Sequence, residues 1–400
     1  MNKTPKLRFK EFSGDWEIKK LGELGEFKKT YSFSRSLEGE GNYKHIHYGD
    51  IHMNYKGIIS KDKLIPSIDI PSDDNYEFIQ DRDIIFADAS EDRKDLGKVA
   101  VVRNIEGNIL SGLHTLCFRP KEDLNSEFFL SHSLNKEYLK FMYTRGNGAK
   151  VLGISKSNLS EYKFLAPSKE EQEKIASFFS LIDDKISLQG EKVEALKDYK
   201  KGMMQKIFSR ELRFKDDDGR DYPEWEEKKI KDIFTITRGV VIAKNEISDL
   251  KDTVNQYPVY SSQTSNNGIL GYDYRYDFEG NYLTWTTDGA NAGKVFRRNG
   301  KFRCTNVCGI LVEKKETLGF ANKMISELLN KETPKHVSYV GNPKLMNGVM
   351  GDIKIKVPLL DEQIKIAKVL DYIDLKIEKE QEKLGYLNEY KKGLLQQMFV

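Results

Sequence analysis

Two stretches of this chain carry basic and polar side chains between short predicted strands. Arginine and lysine can donate to guanine acceptors, asparagine and glutamine can pair with adenine, and aspartate can accept from cytosine. Serine and threonine hydroxyls can donate to phosphates. These residue types predict contacts to double-stranded DNA. The candidate contacts are Lys29, Arg35, His45, His47, Arg93, Lys94, Lys98, Arg145 and Lys150 in the first stretch, and Arg238, Ser262, Gln263, Asn266, Thr287, Asp288, Asn291, Lys294, His336 and Asn342 in the second.

Taken one at a time, each of these loops is more often a solvated turn than a contact surface. The formal net charge of +3 does not by itself indicate a nucleic-acid partner, so local patches would have to hold one. The DNA prediction therefore depends on two stretches of similar plan occurring in one chain.

The sequence lacks the motifs of chemistry on DNA. It contains no G-x-x-x-x-G-K-[ST] loop for ATP, and Asn342-Pro343-Lys344 does not match the Asn-Pro-Pro-Tyr type of adenine methylation motif. Acidic-x-Lys strings such as Asp92-Arg93-Lys94 could belong to a nuclease site. They are expected by chance, however, in a chain with 32% charged residues. Cys304 and Cys308 are four residues apart with no second cysteine or histidine pair nearby, which argues against zinc. We expect no catalytic residue, no metal site and no cofactor in this chain.

An internal sequence repeat indicates which elements position these loops. Residues Pro167–Phe208 return as Pro358–Phe399 with a constant offset of 191 and no gap, and 19 of the 42 paired residues are identical. A repeat of this length indicates one structural unit that is used twice.

Each copy of the repeat has the apolar period of a long helix. Steps of four and three residues from Ile175, and from Ile366, reach ten seam positions in each copy, of which eight are apolar. This period predicts a coiled-coil seam. Ser168 and Glu171 form a capping-box pattern at the first helix start, and Asp361 is the expected cap of the second. We expect the two helices to pack antiparallel on each other; the alternative is that each packs on its own globular domain.

A short lead-in segment before each domain also repeats. Leu7-Arg8-Phe9 returns as Leu212-Arg213-Phe214, and Trp16 has a counterpart in Trp225. The predicted fold class is α+β, with two globular domains of β-rich core separated by two long antiparallel coiled-coil helices in a pseudo-two-fold repeat. The predicted boundaries are 1–166 for the first domain with its lead-in, 167–209 for the first helix, 210–357 for the second domain with its lead-in, and 358–400 for the second helix.

Composition narrows the class of protein. With 38% hydrophobic residues, 400 residues are enough for two cores. Three cysteines, an odd number, argue against a disulfide framework and fit a reducing compartment. No apolar segment of the sequence is long enough to span a membrane, and the first residues lack the apolar core of a signal peptide. We therefore expect a cytoplasmic protein with no membrane partner.

The chain resembles the specificity subunit of Type I restriction-modification systems over essentially its whole length. Lys20–Leu24 is similar to the family's Leu-x-Glu-Leu lead-in, and each repeat begins with Pro-x-x-x-Glu-Gln-x-x-Ile-Ala and closes with Tyr-Lys-Lys-Gly. Gly97-Lys98-Val99 and Gly293-Lys294-Val295 resemble a strand exit of the family. Leu110–His114 resembles another recurrent run, but Thr305–Cys308 stands there in the second half, so His114 is not carried over as a shared functional residue.

The resemblance implies a non-catalytic DNA-reading subunit. Its two target-recognition domains would each read one half of a bipartite asymmetric site, and its helices would set the spacer and dock two methyltransferase (M) subunits. Two restriction/translocase (R) subunits would complete the assembly, and the partner subunits would use S-adenosylmethionine, ATP and magnesium.

Two other functions stay open from the sequence. A self-sufficient restriction enzyme would need methylase and nuclease motifs that are not found here. A coiled-coil adaptor that binds only protein would not need two polar-loop domains of the same plan.

Overall fold

The computed structural model describes residues 3–55, 57–72, 75–93, 95–148 and 150–400. The chain separates into two compact units. Unit 1 contains the chain up to Gly190 together with Glu382–Val400, and unit 2 contains Glu191–Gln381. Each unit therefore holds one globular domain together with part of both long helices.

Unit 1 has a mixed fold in which short strands dominate. Its strands are β1 (Glu17–Lys20), β2 (Gly25–Phe27), β3 (Glu38–Ile46), β4 (Ile58–Ile59), β5 (Ser67–Ile68), β6 (Ile84–Ala87), β7 (Ala89–Ser90), β8 (Val99–Val102), β9 (Ile109–Ser111), β10 (Thr115–Pro120), β11 (Leu152–Gly153) and β12 (Lys163–Ala166). Its helices are α1 (Tyr48–Met53), α2 (Ser126–His132), α3 (Lys136–Arg145), α4 (Lys156–Ser160) and α5 (Lys169–Phe208), of which α5 continues into unit 2.

A five-stranded sheet in the order β2-β10-β6-β8-β4 forms the centre of unit 1, and a three-stranded sheet in the order β5-β3-β9 lies in the same unit. Strands β6 and β8 are buried along their whole length. Because successive side chains of a strand point to opposite faces, Ile84 and Phe86 pack in the core that contains Trp16, whereas Ile85 and Ala87 pack in a second core. The continuous apolar runs of these strands thus fill two cores.

Unit 2 is built around one larger sheet. Its strands are β13 (Glu226–Lys229), β14 (Phe234–Arg238), β15 (Tyr257–Tyr260), β16 (Ile269–Asp273), β17 (Phe278–Thr286), β18 (Val295–Cys304), β19 (Cys308–Glu313) and β20 (Lys354–Val357). Its helices are α6 (Ile230–Ile233), α7 (Lys323–Glu332), α8 (Asn347–Asp352) and α9 (Leu360–Met398), of which α9 continues into unit 1.

The six-stranded sheet of unit 2 has the order β14-β19-β17-β18-β15-β16. Its pairs are antiparallel except β15 with β18, which are parallel. Trp285 is fully buried on this sheet directly opposite Gly309. A Cβ at Gly309 would lie 2.3 Å from the indole ring, so only glycine fits beneath this tryptophan.

The two units repeat the same attachment of domain to helix. In unit 1, β1 pairs antiparallel with β12, and in unit 2, β13 pairs antiparallel with β20. Arg8 donates to both carboxylate oxygens of Glu171 at 2.8 and 2.7 Å. Arg213 makes the same two bonds to Glu362 at 3.3 and 2.9 Å. We call each set, the lead-in segment with its strand pair and its arginine–glutamate pair, a mount.

The two long helices pack antiparallel within each unit. In unit 1, Phe179 near the start of α5 shares a core with Met398 near the end of α9. In unit 2, Ile207 near the end of α5 shares a core with Ile366 near the start of α9. Every predicted seam position of both helices is buried or partly buried. The predicted fold class is confirmed. The expectation that Asp361 caps α9 is wrong, because the helix begins at Leu360 and Asp361 lies inside its first turn.

An ion pair between the helices is repeated with the same offset of 191. Lys391 Nζ lies 2.5 Å from Asp183 in unit 1, and Lys200 Nζ lies 2.7 Å from Asp374 in unit 2. The unit 2 pair is extended by α7, since Glu327 lies 2.8 Å from Lys200. Lys323 also pairs with both of these carboxylates. Only unit 2 therefore joins its domain to the helix pair through this four-residue charge network, among the residues that the structure describes.

The pKa values of the network follow from its geometry. Burial would raise the pKa of Glu327, but Lys323 and Lys200 lower it below its ordinary value. The pKa of Asp374 is also lowered, because Lys200 and Lys323 outweigh the effect of burial. Carboxylates of this kind stabilise the folded state above their unfolded pKa values, and that contribution is lost as the pH falls through the lowered folded pKa.

No helix in the described part of the chain is long and apolar enough to span a membrane.

Replacing Lys200 by methionine is expected to reduce the free energy of unfolding by about 1–3 kcal/mol at neutral pH, because two partly buried carboxylates lose a partner. The loss should shrink once the pH falls below the ordinary carboxyl range of about 4. Urea unfolding at a series of pH values measures both effects. Lys391→Met is the matched control, with an expected loss of about 0.5 kcal/mol because it belongs to a more exposed single pair. Equal losses in the two variants would contradict the prediction.

Candidate nucleic-acid interface

Three loops of unit 2 form one polar surface. The Asn291 side-chain amide donates to Thr264 Oγ1 at 3.1 Å, which joins the β17–β18 loop to the β15–β16 loop. The backbone N–H of Leu345 donates to the carbonyl of Thr287 at 2.8 Å, which joins the segment before α8. We call residues 261–268, 287–294 and 336–344 the unit 2 loop surface.

The β15–β16 loop has an unusual backbone that its sequence permits. Asn266, Asn267 and Gly268 follow one another with φ of +48°, +50° and +79°. Asparagine and glycine are the residues that adopt the left-handed region at least cost. The sequence therefore encodes a tight, defined turn at this point of the surface.

The candidate residues of unit 2 differ in exposure. Those that are exposed are Asn266, Asn291, Lys294, His336 and Asn342, and those that are partly buried are Arg238, Ser262, Gln263 and Asp288. The Gln263 amide donates to the carbonyl of Ile269 and is thereby tied to its own loop. His336 Nε2 lies 3.5 Å from Glu332. Except for Arg238, all of these residues lie on the unit 2 loop surface.

Arg238 and Thr287 also have internal partners. Arg238 lies at the end of β14, where its Nε donates to Asn347 Oδ1 at 2.9 Å. Thr287 is buried, with 1% exposure, and its hydroxyl donates to the carbonyl of Val307 at 2.9 Å. The geometry of Thr287 supports a role in holding the loop.

Loops of unit 1 also join into one surface. The backbone N–H of Gly112 donates to Ile46 O at 2.9 Å, and that of Asp88 donates to His114 O at 3.1 Å. The N–H of Ile154 in turn donates to Asp88 O at 2.8 Å. We call residues 46–52, 88–93, 112–114 and 150–154 the unit 1 loop surface.

Arg35, His45 and His47 lie together beside α1. Arg35 donates to Asp50 at 2.9 Å and to Glu38 at 3.2 Å. His45 Nε2 lies 3.1 Å from the same Glu38 oxygen. Both imidazoles are buried, whereas Arg35 is exposed. The two histidines therefore support the segment from beneath, and two carboxylates hold Arg35 at its surface.

Burial governs the protonation of His47. Burial lowers the pKa of His47, and the positive charge of Arg35 lowers it further. Within the described parts of the chain, no group hydrogen-bonds to the buried Nδ1 atoms of His45, His47 and His52. The pKa shift of His47 favours a neutral imidazole at physiological pH.

The other basic candidates of unit 1 have mixed surroundings. Arg93 donates to the Tyr143 hydroxyl at 2.8 Å with its guanidinium over that ring. Lys98 donates to the carbonyl of His52 at 3.0 Å. Exposed candidates are Lys29, Arg145 and Lys150. Lys94 lies outside the described residues.

His114 also lies on this surface, although its sequence run has no counterpart in the second half of the chain. Its backbone has φ of +55°, its Nδ1 lies 3.1 Å from Asp88, and its ring packs edge-on against Tyr48 at 5.4 Å. It lines a depression of about 510 Å³ together with Asn147 and Asn158. The feature that draws attention to His114 is its left-handed backbone, which is rare for a non-glycine residue and is visible only in the structure.

No group of three or more histidine, cysteine, aspartate or glutamate side chains in the described part of the chain is arranged to hold a metal ion.

Each unit thus has a mount of the same kind and a different polar surface. This arrangement fits a protein with two domains that read nucleic-acid sequence. The family model described as the Type I restriction modification DNA specificity domain matches residues 13–198 and 222–388. The chain belongs to this family, since the match covers most of its length in both halves.

Curated relatives agree with the family match. The chain is 36% identical over 230 residues to a putative type I specificity subunit of Mycoplasma pneumoniae, which is 56% of this chain and 80% of that protein. It is 43% identical over 143 residues to the Type I restriction enzyme MpnII specificity subunit of the same organism, which is 36% of this chain and 42% of that protein.

Solved structures share the fold. The S subunit of a Type I restriction-modification system from M. genitalium matches with a TM-score of 0.61 and 18% identity over 99% of both chains. A chain from a study of complex assembly and conformational transition of the type I R-M system matches with a TM-score of 0.56 and 14% identity, over 95% of this chain and 96% of that one.

Thr287→Val is expected to reduce the free energy of unfolding by about 1 kcal/mol, because it removes a buried hydroxyl that donates to a carbonyl. Ser262→Ala, on the same surface but partly exposed, is the control and should change stability by less than about 0.5 kcal/mol. Thermal unfolding of both variants measures the difference. A larger loss for Ser262→Ala would contradict the assignment of Thr287 as the residue that holds the loop.

Proposed function

We propose that this chain is the specificity subunit of a Type I restriction-modification complex and that each unit reads one half of a bipartite, asymmetric double-stranded DNA site. One observation carries the proposal: the mount is repeated, whereas the two loop surfaces differ in sequence and shape. A repeated mount fits two readers of the same kind, and unlike loops fit two different half-sites.

The exposed side chains of the loop surfaces suit this reading. Asn266, Asn291 and Asn342 offer amides that can discriminate base edges, and Lys294 offers a cation for phosphate. In unit 1, Lys150 on the loop surface and Arg145 at the end of α3 offer exposed cations. Amides would thus read base edges, and cations would hold phosphates.

We infer that α5 and α9 set the length of the unread spacer. Both helices continue from one unit into the other, with α5 spanning Lys169–Phe208 and α9 spanning Leu360–Met398. A continuous helix resists changes in length, so it suits a spacer of fixed length.

The helices also offer a surface for partner subunits. Large apolar side chains that are exposed on them include Leu181, Leu188, Tyr199, Tyr386 and Tyr390. We infer that two methyltransferase subunits dock on the helices and that two restriction/translocase subunits join them. The partners would carry the chemistry with S-adenosylmethionine, ATP and magnesium, and this chain would contribute no catalytic residue.

A coiled-coil adaptor that does not bind DNA is not favoured, because the DNA-specificity family model matches both halves of the chain.

Asn291→Ala is expected to alter the base preference of one half-site only, because Asn291 belongs to the unit 2 loop surface. Lys294→Met should instead weaken binding to all sequences and reduce the slope of log affinity against log salt by about one. The site is first found by mapping methylated adenines in cells that express the chain with its methyltransferase partner. Binding to variants of that site is then measured at several salt concentrations. Changed preference in both half-sites would contradict independent reading by the two units.

Insertion of one heptad after Gln189 and another after Glu380 is expected to lengthen the spacer without changing either half-site. A heptad keeps both seams in phase and lengthens each helix by roughly 10 Å. At roughly 3.4 Å per base pair this corresponds to about three base pairs. Insertions of four residues at the same points are the control and should disrupt the seam. Methylation mapping decides the outcome, and an unchanged spacer at full activity would mean that the helices do not set the distance.

A further inference from the structure

Arg298 lies beneath the β15–β16 loop and is almost completely buried. It belongs to β18 and has 2% exposure. Its Nε donates to Thr284 Oγ1 at 3.0 Å, and its Nη1 donates to the carbonyl of Asn267 at 2.8 Å. Its Nη2 is buried and has no hydrogen-bond partner among the described residues. This guanidinium therefore holds the loop from the interior with one donor atom to spare.

The charge of Arg298 has no carboxylate partner among the residues that the structure describes. Its guanidinium carbon lies 3.6 Å from the centre of the Tyr260 ring and 4.4 Å from that of Phe296, so two aromatic faces enclose it. Burial lowers its pKa, yet an arginine side chain stays charged in proteins. The loop thus lies over an unneutralised positive charge.

Arg303, on the same strand, is a buried arginine that does have carboxylate partners. It is 7% exposed and pairs with Asp273 and, at 3.1 Å, with Asp277. Burying a charge without such a partner costs several kcal/mol. The fold supplies partners for Arg303 and leaves Arg298 without one, which points to an anion that comes from outside the chain.

The loop above Arg298 has the composition of an anion site. Its hydroxyl groups belong to Ser262, Thr264 and Ser265. Gly268 has φ of +79°, and a Cβ there would lie 2.8 Å from Arg298 Nη2. Because a side chain here would clash with the guanidinium, the glycine and its left-handed turn allow the loop backbone to lie directly against Arg298.

We propose that the loop from Ser262 to Gly268, with Arg298 beneath it, binds one phosphodiester of the DNA and that Arg298 is the positioning residue of this site. Arg298 holds the carbonyl of Asn267 and supplies the positive charge, and the loop hydroxyls meet the phosphate. The inference rests on the proposed function and deepens it, because it assigns this loop to the DNA backbone and gives the second half-site a fixed anchor.

Arg298→Met is the decisive variant. Replacing this buried charge by an apolar side chain of similar length removes the cost of burying the charge, which offsets the two hydrogen bonds that are lost, so the thermal stability is expected to stay close to that of the wild type. DNA affinity should nevertheless fall by roughly fivefold to twentyfold, and the salt slope should fall by about one. A purely structural arginine would give the reverse pattern, with lower stability and an unchanged salt slope.

Arg297→Met is the matched control. Arg297 is the neighbour of Arg298 on β18 and carries the same charge, but it pairs with Asp371 at 2.9 Å and is partly exposed. Its removal changes the net charge of the chain equally. The salt slope of Arg297→Met should equal that of the wild type, so a slope that falls in both variants would overturn the proposal.

A second measurement locates the phosphate from the DNA side. Single phosphates of the half-site read by unit 2 are replaced in turn by neutral methylphosphonates, and binding to the wild-type chain with its methyltransferase partner is measured by fluorescence anisotropy. One position should lose roughly fivefold to twentyfold in affinity. The same replacement should cost Arg298→Met less than twofold. Equal losses in wild type and variant at every position would overturn the proposal.

The proposed function and this inference fail in different ways. If the wild-type complex shows no preference for the site found by methylation mapping, the reading function itself is wrong. If the wild type binds that site specifically and Arg298→Met matches its affinity and salt slope, only the phosphate site is wrong.

Discussion

The buried carboxylate at the start of each long helix is the constraint on which the rest of the structure depends. Glu171 has 1% side-chain exposure and Glu362 has 0%. A buried carboxylate is strongly destabilising unless it is paired, and Arg8 and Arg213 supply bidentate partners. Each arginine precedes a domain in sequence and each glutamate follows it. The chain must therefore return to its own lead-in segment after each domain. The two ends of the domain are fixed, and the loops between them are free to differ.

This closure explains which residues recur in the two halves. A residue of the mount or of the helix seam makes the same contact in both copies, as the pairs Lys391–Asp183 and Lys200–Asp374 do. A change in one copy would break a contact that the other copy retains, so the identity of these residues is restricted by packing. A loop residue such as Asn291 instead contacts a neighbouring loop of its own unit. Such residues are free to diverge, and divergence there is what two different half-sites require.

The sequence predicted the parts of the fold that depend on local periodicity and failed where long-range pairing decides burial. The apolar period from Ile175 and the repeat offset of 191 predicted the long helices and their antiparallel packing. A helix seam can be predicted in this way because its apolar residues recur at a regular spacing along the chain. Thr287 was chosen as a surface contact, but the β17–β19 pairing and the Val307 carbonyl place it in the interior. Arg298 was not chosen at all, since nothing in a strand sequence shows that a left-handed turn from another hairpin lies above it.

Unpartnered buried polar atoms are concentrated at the two candidate DNA surfaces. Among the described residues, the buried side-chain atoms that lack a hydrogen bond belong to Trp16, His45, His47, His52, Trp225 and Arg298. The tryptophans are counterparts in the two lead-in segments, and the other four lie on or beneath the loops. Folded proteins normally satisfy such atoms, so each exception requires a cause. A mount selected for stability pairs its charges internally, as Arg8 does. Arg298 is the charged exception, and at the proposed phosphate site the stability lost by burying it unpaired would be recovered when DNA binds.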